Sequence, residues 1–318
     1  MAVVVADLFC GAGGFSLGAK HLGVPVVLSV ENDARTARVY RQNFPDHLLL
    51  ETTLGKSAAD DAGLLRLLRR LKRGKRLHLH GSPPCQKISR ANRTNPDPEG
   101  GLRLIQWFLD LVLTVHPHSW SMEQVPHRAV KDYLVARGVA WECVDVSDHG
   151  VPQRRRRLIA GSPAIVENLR RRRHSGPTKT PQDVFVGLCP KRHRLCSGLT
   201  NNTIHRNGKY VGYRPMRPGE CSRCLDEPAH TVWRYPGYVY DTQTGERVRK
   251  FTETEMAALQ GFPASFKFDS SKTRSRVMIA NALPPPLAEN ILRSVHAARL
   301  LRRGASLDVV VGPRWQEH

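Results

Sequence analysis

Several features that would narrow the class of this protein are scarce or missing. The 318 residues include seven cysteines, an odd number that favours a reducing compartment over a disulfide framework. No apolar run approaches the length of a membrane span, so we expect no membrane partner. The stretch Met1–Asp7 lacks the basic residues and cleavage pattern of a secretion signal. We therefore expect a protein that is not secreted, either cytoplasmic (of bacterial or viral origin) or nuclear.

Acidic residues are also scarce relative to basic ones. The chain has 28 Asp and Glu against 49 Lys and Arg, a formal net charge of +21. The excess is concentrated in residues 151–230, which hold 17 Lys and Arg against 5 Asp and Glu and so carry +12. Phosphate contacts by Lys and Arg supply the sequence-independent part of nucleic-acid affinity. The clustering predicts a binding face for a polyanion, without identifying which one.

Up to about residue 161, the chain alternates apolar strands with amphipathic helices. Continuous apolar runs at 2–9 and 24–30 are typical of buried parallel strands. Helical spacing of apolar residues at 64–71 and 102–116 indicates helices that pack on a sheet. This alternation predicts an α/β fold with a doubly wound, mostly parallel sheet that binds ligands at the carboxyl ends of its strands.

From about residue 162 the periodicity fades, and Pro, Gly, Arg and His dominate. This composition predicts a smaller, irregular second domain that carries much of the basic face. Its soft metal ligands are Cys189, His193, Cys196, Cys221 and Cys224. Four of the five could hold a structural zinc, but the first pair lacks tight knuckle spacing, so we assign no metal. Order returns at 251, where Thr252 and Glu255 predict a capping box.

Two segments near the N-terminus predict a nucleoside cofactor. Glycines follow the first strand at Gly11 and Gly13, and Glu31 ends the second apolar run twenty residues after Gly11. Glycines let the backbone approach a ligand, and the helix that follows offers free N–H groups. An acid at the tip of the second strand is placed to accept hydrogen bonds from ribose hydroxyls.

The segment Gly81–Gln86 is the predicted centre of the chemistry. Pro83 and Pro84 can neither continue a helix nor donate to a central sheet, so they hold Cys85 on a stiff loop after a short strand. A thiol presented in this way suits a nucleophile, although a free cysteine is more often a small buried hydrophobe. The polar, basic stretch 86–101 predicts a mobile loop beside it.

Further polar groups follow later strands. Glu123 lies at the end of the strand that begins near Trp120. In the run 153–160, Gln153, Arg155 and Arg157 would share one face, since alternate side chains of a strand point the same way. The alternative interpretation of this run is a basic surface stretch.

Taken in order, these motifs resemble those of the cytosine-5 DNA methyltransferases, over nearly the whole chain. Asp7–Ser16 is similar to the family's S-adenosylmethionine-binding turn, and Glu31 to its ribose-binding acid. Pro84–Gln86 is similar to its nucleophile motif, Glu123–Val125 to its Glu-Asn-Val, and Gln153–Arg157 to its Gln-x-Arg-x-Arg. The family's C-terminal motifs resemble Leu259–Pro263 and Asn281–Pro284. Three positions depart from the family pattern: Gln124 replaces Asn, Ile88 replaces Phe and Ala280 replaces Gly.

The resemblance implies an S-adenosylmethionine-dependent methyltransferase fold in three parts. These are a catalytic and cofactor-binding domain at 1–161, a target-recognition domain at 162–250, and a C-terminal segment at 251–318 whose final helix returns to the first domain. The implied activity is methylation of C5 of cytosine in double-stranded DNA, through base flipping and a covalent bond from Cys85 to C6. We expect a monomer.

The resemblance also implies roles for particular residues. The implied catalytic residues are Cys85, Glu123, Arg155 and Arg157. The implied contacts to S-adenosylmethionine are Phe9, Gly11, Gly13, Glu31, Asn32, Glu51 and Asn281. Glu123 would protonate N3 of the base, Arg157 would lie at its O2, and Arg155 would lie near the catalytic loop and the phosphates.

Three alternatives stay open at this point. An RNA (tRNA) cytosine-5 methyltransferase would use the same nucleophile motif, although its Cys-Phe-Thr segment is not found here. An inactive relative that only binds nucleic acid would explain the basic face but not the four catalytic residues together. A dinucleotide-dependent oxidoreductase would explain the stretch from Gly11 to Glu31 but not the Pro-Pro-Cys loop.

Overall fold

The structure is a computed structural model. It describes residues 1–84, 98–171, 179–185, 187–188, 192–196, 203–206, 209–213, 229–230, 237–241, 243–244 and 246–301. Cys85 and most of the predicted loop 86–101 lie outside these ranges. Within them, no helix is long and apolar enough to cross a membrane.

A seven-stranded sheet forms the centre of the fold. Its strands are β1 (Val3–Leu8), β2 (Val26–Glu31), β3 (Leu49–Glu51), β4 (Arg76–Gly81), β5 (Ser119–Gln124), β6 (Trp141–Asp145) and β8 (Arg156–Gly161); the two-residue β7 (Gln153–Arg154) precedes β8. Their order is β3-β2-β1-β4-β5-β8-β6. The pairs from β3 to β5 are parallel, whereas β8 runs antiparallel to both of its neighbours. The predicted doubly wound, mostly parallel sheet is confirmed.

Helices cover both faces of this sheet. They are α1 (Gly14–His21), α2 (Ala34–Asn43), α3 (Ala58–Lys72), α4 (Pro98–Val115), α5 (Arg128–Ala136), α6 (Pro163–Arg171), α7 (Glu253–Leu259), α8 (Lys272–Asn281) and α9 (Pro285–Leu301), with short 3₁₀ turns at Val146–His149 and Pro181–Asp183. Alternate residues of β1 enter two separate cores: Val4 and Leu8 pack with residues of α3 and α4, and Val3 and Val5 pack with residues of α1 and α9. Both faces of β1 are therefore buried, as its continuous apolar run predicted.

Helix α9 packs directly on α1. A Cβ added to Gly14 would collide with the carbonyl oxygen of Leu283, and one added to Gly18 would lie 2.6 Å from the Cβ of Ala288. Two glycines on one face of α1 thus allow this close approach. Residues Leu283–Ala288 are thereby held against the start of α1, next to the turn that follows β1.

Three helices were not predicted from the sequence: α2, α6 and α8. In α6, which lies beyond residue 162, Ile165 and Leu169 are buried and the helix packs on α9 and β6. Its nine residues are too few for the periodicity to stand out, although Pro163 at its first position is a start signal. Helix α8 has almost no amphipathic pattern, because Ser275 is buried on it together with Met278 and Ile279. By contrast, the predicted capping box of Thr252 and Glu255 is confirmed at the start of α7.

The described parts of the second region form small antiparallel units. Strands β9 (His193–Cys196), β13 (Tyr238–Asp241) and β14 (Arg247–Lys250) make one sheet, and β10 (Thr203–Arg206) pairs with β11 (Lys209–Tyr213). Strand β12 (Ala229–His230) runs parallel to β7. Of the five residues considered as possible zinc ligands, His193 and Cys196 lie on β9, and the other three lie outside the described residues.

Candidate active site

The chain turns sharply after β1 at the carboxyl edge of the sheet. Phe9, Gly11 and Gly13 have φ angles of 57°, 56° and 102°, in the left-handed region that glycine adopts without strain. A Cβ on Gly13 would collide with the ring of Phe44, whereas one on Gly11 would meet open space. Gly13 is therefore needed for packing. At Gly11 the backbone itself borders open space, which suits the approach of a ligand.

The carboxylate of Glu31 is fixed by backbone N–H groups. Its Oε2 accepts from the amide of Gly11 at 3.0 Å, and its Oε1 accepts from the amides of Asn32 at 2.9 Å and Asp33 at 2.8 Å. Burial raises the pKa of Glu31 above its usual range, while the backbone hydrogen bonds oppose that rise. The turn and the acid, twenty residues apart in sequence, form one unit.

A single cavity of about 740 Å³ lies at this edge of the sheet. Of the residues predicted for the site, those that line it are Phe9, Gly11, Glu31, Asn32, Glu123, Arg155, Arg157 and Asn281. Pro83 and Pro84, which immediately precede Cys85, line it as well. The segments predicted to bind a nucleoside and those predicted to carry the chemistry therefore face the same enclosure.

Two predicted cofactor contacts lie off the cavity wall. Gly13 is not among the lining residues and serves the packing described above. The carboxylate of Glu51 accepts from Arg41 at 2.9 Å in an exposed ion pair, and Thr52 and Thr53 line the cavity in its place. Thr52 and Thr53 follow the end of β3 at Glu51, so the chain reaches the cavity only beyond the strand.

Glu123 and Arg157 form the main ion pair of the cavity. The Nε of Arg157 lies 2.7 Å from Oε1 of Glu123, and both side chains are largely enclosed, at 14% and 12% exposure. They are brought together because β8 runs antiparallel beside β5. The enclosure strengthens the attraction between the two charges, and the ion pair limits the directions that the carboxylate can take.

The alternation predicted for 153–157 is confirmed. Gln153 and Arg155 are buried and Arg157 is partly buried, while Arg154 and Arg156 are exposed. Arg155 is 3% exposed, and its Nη2 donates to the carbonyl of Ala280 at 2.6 Å. This side chain links the strand to the residue preceding Asn281, rather than lying on an exposed phosphate-binding surface.

A buried pair of amides was missed by the sequence reasoning. The side chain of Gln153 donates to the carbonyl of Leu259 at 2.9 Å and also to the side chain of Gln260. Gln260 in turn donates to the carbonyls of Ile279 at 2.8 Å and Ala282 at 3.0 Å. These bonds hold both flanks of Asn281, a lining residue. Both glutamines stood in recognised motifs, but their pairing spans 107 residues.

Gln124, one of the three residues that depart from the family pattern, holds the segment that precedes Cys85. Gln124 is buried, and its Nε2 donates to the carbonyl of Pro83 at 2.7 Å. Its Oε1 accepts from the amide of Val125 at 3.2 Å. The glutamine therefore ties the end of β5, which carries Glu123, to the loop that carries Cys85.

Asp7 is a further buried acid whose role was not recognised from the sequence. Its Oδ2 accepts from the hydroxyl of Ser16 at 2.7 Å, and Ser16 accepts from the hydroxyl of Tyr40 at 2.8 Å. Burial raises the pKa of Asp7 to about 7. The side chain also lines the cavity, next to the Gly11 turn.

Comparisons with known proteins agree with this geometry. The family model described as C-5 cytosine-specific DNA methylase matches residues 3–163 and 167–297. The Type II methyltransferase M1.HphI of Haemophilus parahaemolyticus is 27% identical to this chain, over 93% of this chain and 87% of its own length. The Type II methyltransferase M.HgiDI of Herpetosiphon aurantiacus is 28% identical, over 92% and 93%.

Solved structures share the fold. The Entamoeba histolytica methyltransferase EhMeth superposes with a TM-score of 0.60 at 13% identity, covering 94% of this chain and 99% of its own. A mutant of Spodoptera frugiperda DNMT2 gives a TM-score of 0.57 at 15% identity, covering 93% and 100%. Since the family model spans nearly the entire chain, this protein belongs to the C-5 cytosine-specific DNA methylases and is a DNA cytosine-5 methyltransferase.

Proposed function

We propose that this chain transfers the methyl group of S-adenosylmethionine to C5 of cytosine in double-stranded DNA, by way of a flipped base bonded to Cys85. One observation carries the proposal: a single cavity is lined both by the Gly11 turn with Glu31 and by Pro84, Glu123 and Arg157. The first set suits a nucleoside, and the second suits a pyrimidine. A methyl donor and a base could meet there, away from bulk water.

The residues around the turn fit S-adenosylmethionine. Glu31 offers an immobilised carboxylate for ribose hydroxyls, and the apolar side chains of Phe9 and Leu54 line the wall where an adenine would find contact. The start of α1 offers N–H groups to the methionine carboxylate. Asn281 is the remaining predicted contact on the wall. When bound, the cofactor would supply an electrophilic methyl group.

The catalytic steps follow from the remaining side chains. The thiolate of Cys85 would form a bond to C6, and the electron pair released towards N3 would take a proton from the carboxyl group of Glu123. C5 of the adduct is then nucleophilic enough to accept a methyl group. Solvent would then take the C5 proton, the electron pair of the C5–H bond would re-form the C5–C6 double bond as the thiolate leaves, and N3 would return its proton to the carboxylate of Glu123.

Arg157 would have two tasks in this scheme. Its ion pair with Glu123 would aim the carboxyl group, and its remaining guanidinium N–H groups would reach O2 of the base. Arg155 would act indirectly: its hydrogen bond to the carbonyl of Ala280 would hold Asn281, the next residue, in place.

The base has to leave the duplex to enter this cavity, because neither its C6 nor its C5 can be approached from both sides within the stack. We predicted a catalytic and cofactor-binding part at 1–161 and 251–318 and the reading of target bases at 162–250; because α6 packs on β6 and α9, we assign α6 to the catalytic part as well. The predicted loop 86–101 ends earlier than expected, because α4 begins at Pro98, and we propose that residues 86–97 close over the flipped base. The charge of +12 on residues 151–230 supports duplex binding there.

Bisulfite sequencing of DNA from cells that express the wild type or Cys85→Ala tests the activity. The wild type is expected to leave modified cytosine in one sequence context, and Cys85→Ala none. Methyl transfer to purified DNA and to tRNA, measured side by side, distinguishes the RNA alternative. A purified wild type that binds DNA but methylates neither substrate would show an inactive nucleic-acid-binding relative instead.

A further inference from the structure

A file of polar side chains crosses the layer between the sheet and α1. His78 and His80 alternate along β4, and Ser119 and Ser121 lie beside them in register on β5. The file ends at Ser82, immediately after β4. Its contacts are His78 Nδ1 to Ser119 Oγ at 2.9 Å, His78 Nε2 to Ser121 Oγ at 3.0 Å, His80 Nδ1 to Ser121 Oγ at 2.8 Å, and His80 Nε2 to Ser82 Oγ at 3.1 Å. We call these five residues the histidine–serine file.

The middle of the file is buried, and both of its rings are uncharged. His78, His80 and Ser121 have no exposed surface. Burial lowers the pKa of His78 to about 3 and that of His80 well below its usual value, so both rings are neutral at physiological pH. A neutral imidazole has one donor and one acceptor, and all four ring nitrogens here have a hydroxyl partner. Every ring nitrogen of the two histidines therefore has a hydrogen-bond partner. Apolar side chains at these positions would need no such partners.

The file ends at the candidate active site. Ser82 lines the cavity, whereas neither histidine does. The ring of His80 stacks on Phe15, another lining residue, with centroids 3.7 Å apart and planes inclined by 5°. His80 is thus clamped between a ring on one wall of the cavity and the hydroxyl of Ser82 on another.

Few hydrogen bonds fix the position of the segment from Ser82 to Pro84. Its two prolines have no N–H to donate. Within the described residues, three hydrogen bonds hold it: the amide of Ser82 to Leu8 O at 3.2 Å, the hydroxyl of Ser82 to His80, and Pro83 O to Gln124 at 2.7 Å. The contact to His80 is the one of these that sets the Ser82 side chain.

We propose that the cavity end of the histidine–serine file positions the nucleophile: Ser82, held by His80 and through it by Ser121, is a positioning residue for the loop that begins at Cys85, whereas His78 and Ser119 serve packing. The inference rests on the proposed function, because it assigns the file a role in forming the bond from Cys85 to C6. The hydroxyl of Ser82, fixed by a ring that cannot turn, would keep the proline-rich segment in one orientation and limit the positions that Cys85 can adopt.

The test compares two serines with matched chemistry. Ser82→Ala and Ser119→Ala each remove one hydroxyl bonded to a neutral imidazole nitrogen, at opposite ends of the file. Full-length variants are mixed with S-adenosylmethionine and duplex DNA that contains 5-fluorocytosine, and the rate of covalent trapping is measured together with KM for both substrates and the unfolding midpoint. Ser121→Ala breaks the file without touching the cavity, and Ser82→Thr restores a hydroxyl.

Ser82→Ala is expected to slow trapping roughly tenfold to a hundredfold, as a misplacement of about 1 Å would, with both KM values changed by less than about twofold. Ser121→Ala should slow trapping to a smaller extent, and Ser82→Thr should recover most of the rate. Ser119→Ala should trap at the wild-type rate even if it unfolds more easily.

Equal trapping rates for Ser82→Ala and the wild type would overturn the inference. A loss confined to KM, or equal slowing by Ser119→Ala and Ser82→Ala, would do the same, because the serines would then serve binding or general stability. A wild type that methylates DNA but forms no adduct would overturn the covalent part of the proposed function, and the positioning role with it.

Discussion

The two halves of the cavity are built in different ways. On the cofactor half, the Glu31 carboxylate is held by backbone amides at Gly11, Asn32 and Asp33. On the nucleophile half, each contact needs a particular side chain from a neighbouring strand: Arg157 with Glu123, and the Gln124 side chain with the backbone carbonyl of Pro83. The three amides around Glu31 are present whatever side chains their residues carry, whereas Arg157 and Gln124 cannot be replaced without losing the contact.

This difference teaches where the protein is vulnerable to substitution. Backbone contacts survive most changes to neighbouring side chains, so the cofactor half should tolerate substitutions that leave Glu31 and the glycine turn intact. Each pair on the nucleophile half is lost with one substitution. Single changes there should reduce the rate of reaction, and single changes on the cofactor half should reduce affinity.

The largest effect is expected from Glu123→Gln, which keeps the shape of the side chain but removes the proton that N3 would take. The rate of methyl transfer at saturating substrates should fall about 100- to 10,000-fold, the range for loss of a general acid. Single-turnover transfer to duplex DNA measures it. Glu142→Gln is the matched control. The carboxylate of Glu142 also forms an ion pair, 2.8 Å from Nε of Arg170, but Glu142 does not line the cavity.

If Glu123→Gln and Glu142→Gln lose activity to the same extent, the ion pair in the cavity has no special role. The contrast between the two halves of the cavity would then fail on its nucleophile side.

A smaller effect, on affinity, is expected from Glu31→Gln. Loss of a charged acceptor should weaken S-adenosylmethionine binding by about 10- to 100-fold, in line with hydrogen bonds to charged groups. Glu51→Gln should change affinity by less than about twofold, because exposed ion pairs contribute little. Isothermal titration of the cofactor compares the two. A larger loss for Glu51→Gln would return that residue to the binding site and make Glu31 the structural one.

The last prediction concerns pH and stability rather than activity or affinity. The pKa of Asp7 is raised by burial from 3.8 to about 7 in the folded protein, so folding favours its protonated form. The contribution of Asp7 to stability is therefore complete below about pH 4, falls as the pH rises and levels off above about pH 7, by at most about 1.4 kcal/mol per pH unit.

Urea unfolding of the wild type and Asp7→Asn between pH 4 and pH 8 measures this dependence. The free energy of unfolding of the wild type, relative to that of Asp7→Asn, should decrease as the pH rises from 4 to 7 and stay constant above pH 7. A difference independent of pH would mean that Asp7 is ionised throughout.

Local patterns predicted the cofactor half well. The apolar run of β1, the glycine turn and the spacing to Glu31 are all contained within about thirty residues, so the chain order nearly determines their arrangement. The family resemblance, rather than a local pattern, assigned Glu51 to the cofactor; its side chain pairs with Arg41 instead, and Thr52 and Thr53 line the cavity.

The nucleophile half was predicted in its residues but not in its contacts. Strand alternation correctly put Gln153, Arg155 and Arg157 on one face. The pairing of Arg157 with Glu123 requires β8 to run antiparallel beside β5, and no feature of residues 153–161 indicates strand direction. The partners of Gln153 and His80 were missed for the same reason, since their contacts depend on which distant segments become neighbours.

The most direct test of the central claim is intact-mass analysis of the wild-type protein incubated with S-adenosylmethionine and duplex DNA containing 5-fluorocytosine in its target sequence. Fluorine at C5 cannot leave as a proton does, so the bond to the enzyme should persist after methyl transfer. The account predicts one protein–DNA adduct per chain, located at Cys85 by peptide mapping and missing from Cys85→Ala. An adduct at another residue, or active wild-type enzyme that forms none, would contradict it.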